Sequence, residues 1–503
     1  MNLLLVYPQI PETFWSFKHA LRFVSRTATF PPLGLLTVAS LLPEEWEKRM
    51  IDINTTRLTD ADVMWADYVF ISAMVVQQDS AREIVDRCRR LGTGVVAGGP
   101  MFRPGYEDLG FDDIDHLVYG EAENVMPQLI EDLRNGCVRH IYFAPELPDI
   151  ASSPVPMWSL ISNRRYQMMN LQYSRGCRFN CEFCDIVVMN GHVPRTKSRD
   201  QVLAELDALY HHGWRGGVFF TDDNFIGNKN KLKHDILPAI IEWTSARKHP
   251  FTFITETSIN LADDEELLRL MVAAGFDTVF VGIESPNEDS LVECNKMPNK
   301  GRDLLASVKC IQRHGLQVQG GFIVGFDGDP PSIFRNQISF IQNSGIVTAM
   351  VGMLMAPPGT ALYKRLQAEN RLLPGGTGNN TDGSTNIIPT MGLESLVSGY
   401  RQVVDTIYSP QHYYDRILTF LREYQPQGTH RGTLSPRYIL ALLRCIWTIG
   451  LKERGRKHYW KLFGWTLLRK PRCFPLFTTF AVQGYHCRKV VESVYGVPRT
   501  ASD

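Results

Sequence analysis

The 503-residue sequence carries no net formal charge, so nothing global attracts it to a polyanion such as nucleic acid. It has no run of the roughly 18–20 apolar residues that a bilayer span needs, and its best candidate, residues 438–451, is broken by Arg444. The opening Met1-Asn-Leu-Leu-Leu-Val-Tyr7-Pro8 lacks a basic leader and a small-residue cleavage site. It reads as a buried first strand. Seven of the ten cysteines (Cys88, Cys137, Cys294, Cys310, Cys445, Cys473, Cys487) are scattered, with no spacing that builds a disulfide framework. Together these absences point to a reducing, cytoplasmic setting.

What is present is ordinary for a globular protein, with 44% hydrophobic and 21% charged residues on a chain long enough for two or three domains. One stretch departs from the ordinary. Cys177-Arg-Phe-Asn-Cys181-Glu-Phe183-Cys184 sets three cysteines at spacings of four and three. A loop of that length can hold an iron–sulfur core by three thiolates and leave one iron open, and an open metal position signals chemistry. A zinc knuckle is the competing reading, but zinc usually takes four ligands. His192 is nearby, yet no second pair accompanies it.

In the first 145 residues, apolar strands at 3–7, 48–53, 68–73, 94–97 and 116–119 alternate with helical segments at 33–42, 79–91 and 122–133. That rhythm predicts a doubly wound, Rossmann-like parallel sheet with its ligand at the carboxyl ends of the strands. Small or flexible residues fall there: Ser72 to Met74, Gly98-Gly99-Pro100 and Gly120-Glu121. They suit close approach to a bulky ligand, or plain turns.

Between 170 and 372, strands at 171–174, 217–221, 251–257, 278–283, 317–324 and 349–355 predict a partial (β/α)6 barrel open on one side. The cysteines follow its first strand, at the reactive rim. Polar strand ends share that rim: Asp222 and Asp223, Glu256, Glu284, and the run Gly321 to Gly325. Asp222 or Asp223 could instead cap a helix. Glu284 ends an apolar strand and needs a partner to offset its burial.

Past a Gly- and Asn-rich linker, residues 385–503 read as helical. From residue 425 onward there are 14 Lys or Arg against 3 acidic residues. Lys452, Arg454, Arg456, Lys457, Lys461, Arg469, Lys470 and Arg472 are interleaved with Trp447, Tyr459, Trp460, Phe463 and Trp465, which suits either anionic lipid headgroups or a solvated helical face.

The cysteine spacing, with Phe183 just before the third cysteine, resembles the signature of the radical S-adenosylmethionine (SAM) enzymes. The first 145 residues are similar to the cobalamin-binding domain of one branch of that family. Ile407-Tyr-Ser-Pro410, Tyr413-Tyr-Asp-Arg416 and Phe219-Phe-Thr-Asp-Asp-Asn-Phe-Ile-Gly-Asn228 resemble the subgroup that includes the hopanoid C-2 methyltransferase.

The resemblance implies a 4Fe–4S cluster on Cys177, Cys181 and Cys184, with SAM on the open iron. It implies SAM contacts at Phe183, Asp222, Asp223, Glu256, Glu284, Gly321 and Gly325, and cobalamin contacts at Asn54, Ser72, Met74, Gly98, Gly99, Gly120 and Glu121. Many relatives ligate cobalt through Asp-x-His-x-x-Gly. Here the corresponding Asp52-Ile-Asn54-Thr-Thr-Arg57 lacks the histidine, so cobalamin is expected without a protein imidazole ligand.

The implied reaction is radical methylation of an unactivated carbon in a hydrophobic small molecule, a hopanoid-like lipid first and a tetrapyrrole second. The electron would come from an external donor such as ferredoxin or flavodoxin. Cyclisation, rearrangement or hydroxylation without methyl transfer, and a non-enzymatic cobalamin or redox sensor, remain the alternatives. The expected place is the cytoplasm or the inner face of a membrane, with no nucleic-acid partner.

Overall fold

The computed structural model describes residues 1–111, 113–379, 381–426 and 436–496. Parts of the expected helical tail, residues 427–435 and 497–503, lie outside the described residues.

Six strands form the first sheet: β1 (Asn2–Tyr7), β2 (Glu47–Asp52), β3 (Tyr68–Ser72), β4 (Gly94–Gly98), β5 (His116–Tyr119) and β6 (Ile141–Phe143). They run parallel in the order β2-β1-β3-β4-β5-β6. Central strands of a parallel sheet are covered on both faces and must be apolar throughout. Leu3, Leu4, Leu5 and Val6 accordingly have no exposed surface. The helix Gln78–Leu91 buries Ala81, Ile84, Val85 and Cys88, the spacing of one helical face, and ends at Gly92 in the left-handed region. The strand order reverses between β1 and β3, which in such sheets opens a crevice at the carboxyl ends.

The second sheet comprises β7 (Met169–Leu171), β10 (Gly216–Phe220), β11 (Phe251–Thr257), β12 (Phe276–Glu284), β13 (Gln317–Val324) and β14 (Ala349–Met353). A short antiparallel pair, β8 (Ser174–Arg175) and β9 (Arg195–Thr196), stands beside it. The six strands are parallel in the order β14-β13-β12-β11-β10-β7, an open partial barrel.

Several elements differ from the sequence reading. β6, the helix Asp60–Trp65 and the β8–β9 hairpin are absent from it. The last barrel strand stops at Met353. The first barrel strand, read as continuing to Ser174, stops at Leu171 because Tyr173 and Ser174 give their N–H groups to the Asp222 carboxylate, at 3.2 Å for Tyr173. Ser174 then pairs with Thr196 in the hairpin.

Five helical stretches follow: Leu393–Tyr408, Pro410–Glu423, Pro436–Lys452, Arg456–Arg469 and Phe474–Tyr495. They close the edge of the barrel sheet that would otherwise be bare. Tyr400 and Tyr408 donate their hydroxyls to the β14 carbonyls of Val351 (3.1 Å) and Ala349 (2.5 Å). Arg416 is fully buried, and its two terminal nitrogens donate to Ile407 O, Val347 O and Gln342 Oε1 at 2.9, 3.1 and 2.6 Å, while its Nε has no hydrogen-bond partner among the described residues.

Candidate active site at the carboxyl rims of the two sheets

The loop bearing Cys177, Cys181 and Cys184 follows β8 and is fastened along its length. Asp222 accepts from Ser174 Oγ as well as from the two N–H groups, and Asp223 accepts from Gly176 N (2.8 Å) and Asn190 Nδ2 (3.0 Å). Gly176 has φ +95°, and a Cβ there would lie 2.9–3.0 Å from the carbonyls of Asn190, Gly191 and Val193. Between the second and third cysteines, Glu182 receives Arg365 at 2.7 and 3.0 Å, while its N–H donates to Cys294 O at 2.9 Å. Thr360 caps the helix Ala361–Ala368 that presents Arg365. Neither Asp222 nor Asp223 caps a helix: both serve the backbone that leads to the first cysteine.

The charge of Lys296 acts on all three thiols, and Cys181 is electrostatically linked to both of the others. Burial pushes each thiol up, that of Cys184 to about 12, and the lysine partly offsets this. Lys296 Nζ lies 2.6 Å from Glu284 Oε1. Burial opposes its charge, but Glu284, Cys181 and Cys184 outweigh burial and hold it above the ordinary lysine range.

Glu284 ends β12 in the left-handed region, at φ +62°. The β12–β13 register shifts at that point. Non-glycine residues in this region are strained by about 1–3 kcal/mol and collect at functional sites. Gly282 supplies the room: a Cβ on it would collide with Glu284 Oε1 and come within 2.8 Å of Lys296 Nζ. Its ladder partner Gly321 faces Phe280, which a Cβ would approach to 3.0 Å. Burial, with Asp223 and Asp222 nearby, raises the Glu256 carboxyl to about 7; burial also raises Asp222 to about 7. Gly325, at φ +108°, turns the chain after β13 and donates to Asp329 at 2.8 Å.

In the first sheet, Asn54 is fully engaged. Its Oδ1 accepts from Ile10 N (2.8 Å), and its Nδ2 donates to Pro8 O (3.2 Å) and Asp52 Oδ1 (2.7 Å). Asp52 also accepts from Tyr166 OH at 2.9 Å, which ties the end of β2 to the segment before the barrel. Gly99 has φ +96°, and a Cβ there would meet Ser72 Oγ at 2.6 Å, so the β3 and β4 ends pass in close contact. Gly120, at φ +84°, faces open space. Glu121 pairs with Arg175 and Arg195, and Glu123 pairs with Arg175 at 2.8 Å, which clamps the first sheet to the cysteine hairpin.

A cavity of about 940 Å³ opens between the two rims. Met74 to Val76 and Tyr106 line it from the first sheet, Phe183 and Met189 from the cysteine loop, and Ile323 and residues 352–358 from the barrel. Of the candidate site residues, Met74 and Phe183 line this cavity and the others are not part of its lining. Composition and spacing offered no signal for Lys296, Arg365 or Arg175, which act through partners distant in the chain.

Residues 21–130 match the family model described as a B12 binding domain, 171–341 the radical SAM superfamily, and 360–497 a domain of unknown function. The chain is 40% identical over 489 residues to an uncharacterised methyltransferase of Synechocystis sp., covering 97% of this chain and 91% of that protein. It is 32% identical over 475 residues to the hopanoid C-2 methylase of Rhodopseudomonas palustris, covering 92% and 88%. The chain belongs to the cobalamin-binding radical SAM methyltransferases.

The bacteriochlorophyllide d C-12(1)-methyltransferase of Chlorobaculum tepidum is a more distant relative, at 26% identity over 68% of this chain and 75% of that one. The fold is shared with the cobalamin-dependent SAM radical enzyme OxsB, at TM-score 0.64 and 14% identity over 98% of this chain and 80% of that one. TsrM from Kitasatospora setae, solved with cobalamin and a 4Fe–4S cluster, scores 0.59 at 16% identity over 98% and 99%.

As a radical SAM methyltransferase of this branch, the protein uses a 4Fe–4S cluster, SAM and cobalamin, needs a reductant and acts on a small molecule. The site fits these groups. Among the described residues no three His, Cys, Asp or Glu side chains converge closely enough for a single metal ion. Cys177, Cys181 and Cys184 are soft thiol donors on one loop, the donor chemistry that iron–sulfur clusters take. The interdomain cavity lies where the crevice of the first sheet faces the barrel rim.

Proposed function

We propose that this methyltransferase adds a methyl group to an unactivated carbon of a hydrophobic polycyclic molecule, a hopanoid-like lipid first and a tetrapyrrole second. The observation that carries the reading is the interdomain cavity, whose lining mixes apolar side chains such as Val75, Met189 and Leu354 with polar ones such as Asp185 and Asn386, and includes the side chain next to the third cysteine. The greater identity to the hopanoid methylase than to the bacteriochlorophyllide enzyme favours the lipid.

When bound, the cluster with SAM supplies a carbon-centred radical, and cobalamin supplies the methyl group. In this reading Cys177, Cys181 and Cys184 would hold the cluster. Asp222 and Asp223 fix the loop that carries them, which holds the three thiol positions in place. Glu284 and Glu256 offer carboxylates to the amino group and hydroxyls of SAM, and Gly321 and Gly325 let its adenine approach the backbone. Gly98, Gly99, Gly120 and Ser72 keep the rim of the first sheet free of bulky side chains and would let cobalamin approach the backbone. Asn54, sewn to Pro8 and Ile10, shapes that rim without offering a ligand. Met74 and Phe183 add apolar surface to the cavity wall. Ferredoxin or flavodoxin is the proposed donor, and the inner face of a membrane the proposed place of action.

Deletion of the gene, followed by comparison of the cell's lipids and pigments, tests the substrate. A missing methyl group on a polycyclic lipid supports the assignment. A missing methyl group on a tetrapyrrole moves it to the second class, and an unchanged lipid and pigment profile overturns both.

A further inference from the structure

Helix 436–452 is amphipathic in the inverse sense. Ala441, Cys445 and Ile449 recur every fourth residue on the buried side. Ile439, Leu443, Trp447 and Leu451 recur at the same spacing on the exposed side, with Leu443 at 57% and Trp447 at 58% exposure. A surface helix ordinarily turns polar residues outward. The helix changes from α to π winding at Ile446, and the outward stripe continues through that change. The helix is fixed to the body, since Arg444 donates to the carbonyls of Arg22 (2.9 Å) and Phe23 (3.1 Å) and to Ser25 Oγ (2.7 Å). The apolar side therefore faces outward by construction.

The following helix, Arg456–Arg469, extends the surface. Trp460 is 40% exposed and donates its indole N–H to Gly450 O at 2.8 Å, and Leu468 is 83% exposed. Around these side chains stand Lys452, Arg454, Arg456, Lys457, Lys461 and Arg469, all exposed. None makes an ion pair with a described residue; Lys452 sits 4.7 Å over the Trp447 ring. The two acids of this region, Glu453 and Glu492, both face Lys489, at 3.5 and 2.8 Å. The surface thus presents uncompensated positive charge around an apolar and aromatic strip.

We infer that this surface is the protein's docking face for an anionic lipid bilayer, with helix 436–452 lying in the plane of the interface. Aliphatic and tryptophan side chains on one face, flanked by lysine and arginine, are what an interfacial helix needs, since the apolar groups enter the headgroup boundary and the cations meet anionic headgroups. No helix among the described residues is long and apolar enough to cross a membrane, so the contact is peripheral. An acidic protein partner would use the cations but would leave the exposed strip of Ile, Leu and Trp without a role. The inference stands on the surface alone and does not depend on the identity of the substrate.

The test is sedimentation of the reconstituted full-length holoenzyme with vesicles of phosphatidylcholine alone or of phosphatidylcholine with phosphatidylglycerol. Wild type is expected to partition ~10-fold or more in favour of the anionic vesicles and to lose that preference in high salt. Leu443→Glu/Trp447→Glu should abolish partitioning while keeping wild-type helical content, iron and cobalamin. Lys457→Glu/Lys461→Glu should remove the preference for anionic lipid. Failure of wild type to bind anionic vesicles, or equal binding by the Leu443→Glu/Trp447→Glu protein, overturns the inference. So does a finding that this variant loses binding only to an acidic protein such as a flavodoxin. None of these readouts involves methyl transfer, so their failure leaves the substrate assignment standing.

Discussion

Lys296 holds its ammonium 2.6 Å from Glu284 Oε1, above the missing side chain of Gly282, and its charge acts on all three thiols of the cysteine loop. A strained glutamate, a buried lysine and an obligatory glycine are thereby locked into one arrangement beside the cluster position. The charge at that point is +1 from lysine, partly balanced by one carboxylate, in surroundings of low polarity.

On the proposed assignment of the cluster to the three cysteines, Lys296→Met removes a cation beside it, so the reduced cluster becomes harder to form. A unit charge at an effective dielectric of ~20 acts with a few kcal/mol. The reduction potential should therefore fall by on the order of 100 mV, read by electron-spin resonance during a redox titration. Lys296→Arg should stay close to wild type. Gly282→Ala should shift the potential in the same direction as Lys296→Met, because its Cβ displaces the pair. An unchanged potential in Lys296→Met would show that the lysine does not sense the cluster.

Asp222→Ala should lower the iron content after anaerobic reconstitution and speed cluster loss. Tyr173 and Ser174 would each be left with a buried N–H lacking its acceptor, at a cost of about 1–3 kcal/mol per group. Asp222→Asn should fall between the two, since its amide keeps one acceptor oxygen.

The clamp between the sheets predicts a mechanical effect. Glu121→Gln weakens the half-buried pairs to Arg175 and Arg195 and should destabilise the contact by about 3 kcal/mol, the lower range for breaking a buried pair. Limited proteolysis in the connector 144–168 should accelerate, and cobalamin should be retained less well, with the cluster spectrum unchanged.

His486, in the last helix, faces Phe14 O through Nε2 at 3.1 Å and packs on the rings of Phe17 and His19. Burial lowers it to about 4. Its folded value lies below the ordinary histidine value of ~6.5, so the unfolded chain takes up the proton first. The stability this neutral histidine contributes is present above pH ~6.5 and is lost as pH falls towards about 4. Chemical denaturation should show wild type losing stability across that window and His486→Gln losing less.

Much of the fold is legible as pattern. The unbroken apolar runs Leu3–Val6 and Val69–Ile71 can only be doubly covered parallel strands, and the i, i+3, i+4 spacing of Ala81, Ile84 and Val85 identifies a helix face. The cysteine trio is legible because its chemistry depends on local spacing. Lys296, Arg365 and Arg175 are not, because their partners Glu284, Glu182 and Glu121 lie 12, 183 and 54 residues away, and only the folded chain brings the charges together. The same holds for Asp222, whose acceptor role is exercised 48 residues upstream at Ser174. The outward apolar stripe of helix 436–452 has the period of a core-facing helix, so the pattern alone says nothing of which side is covered.

The central claim is that three cysteines on one braced loop support radical methyl transfer. The most direct measurement is an anaerobic assay of reconstituted protein with SAM, cobalamin, a chemical reductant and a hopanoid precursor, following 5′-deoxyadenosine and product mass together. Wild type should release 5′-deoxyadenosine and add one CH2 unit to the substrate, and Cys181→Ala should do neither. Equal 5′-deoxyadenosine from Cys181→Ala, or a product formed without the added carbon, would contradict the account.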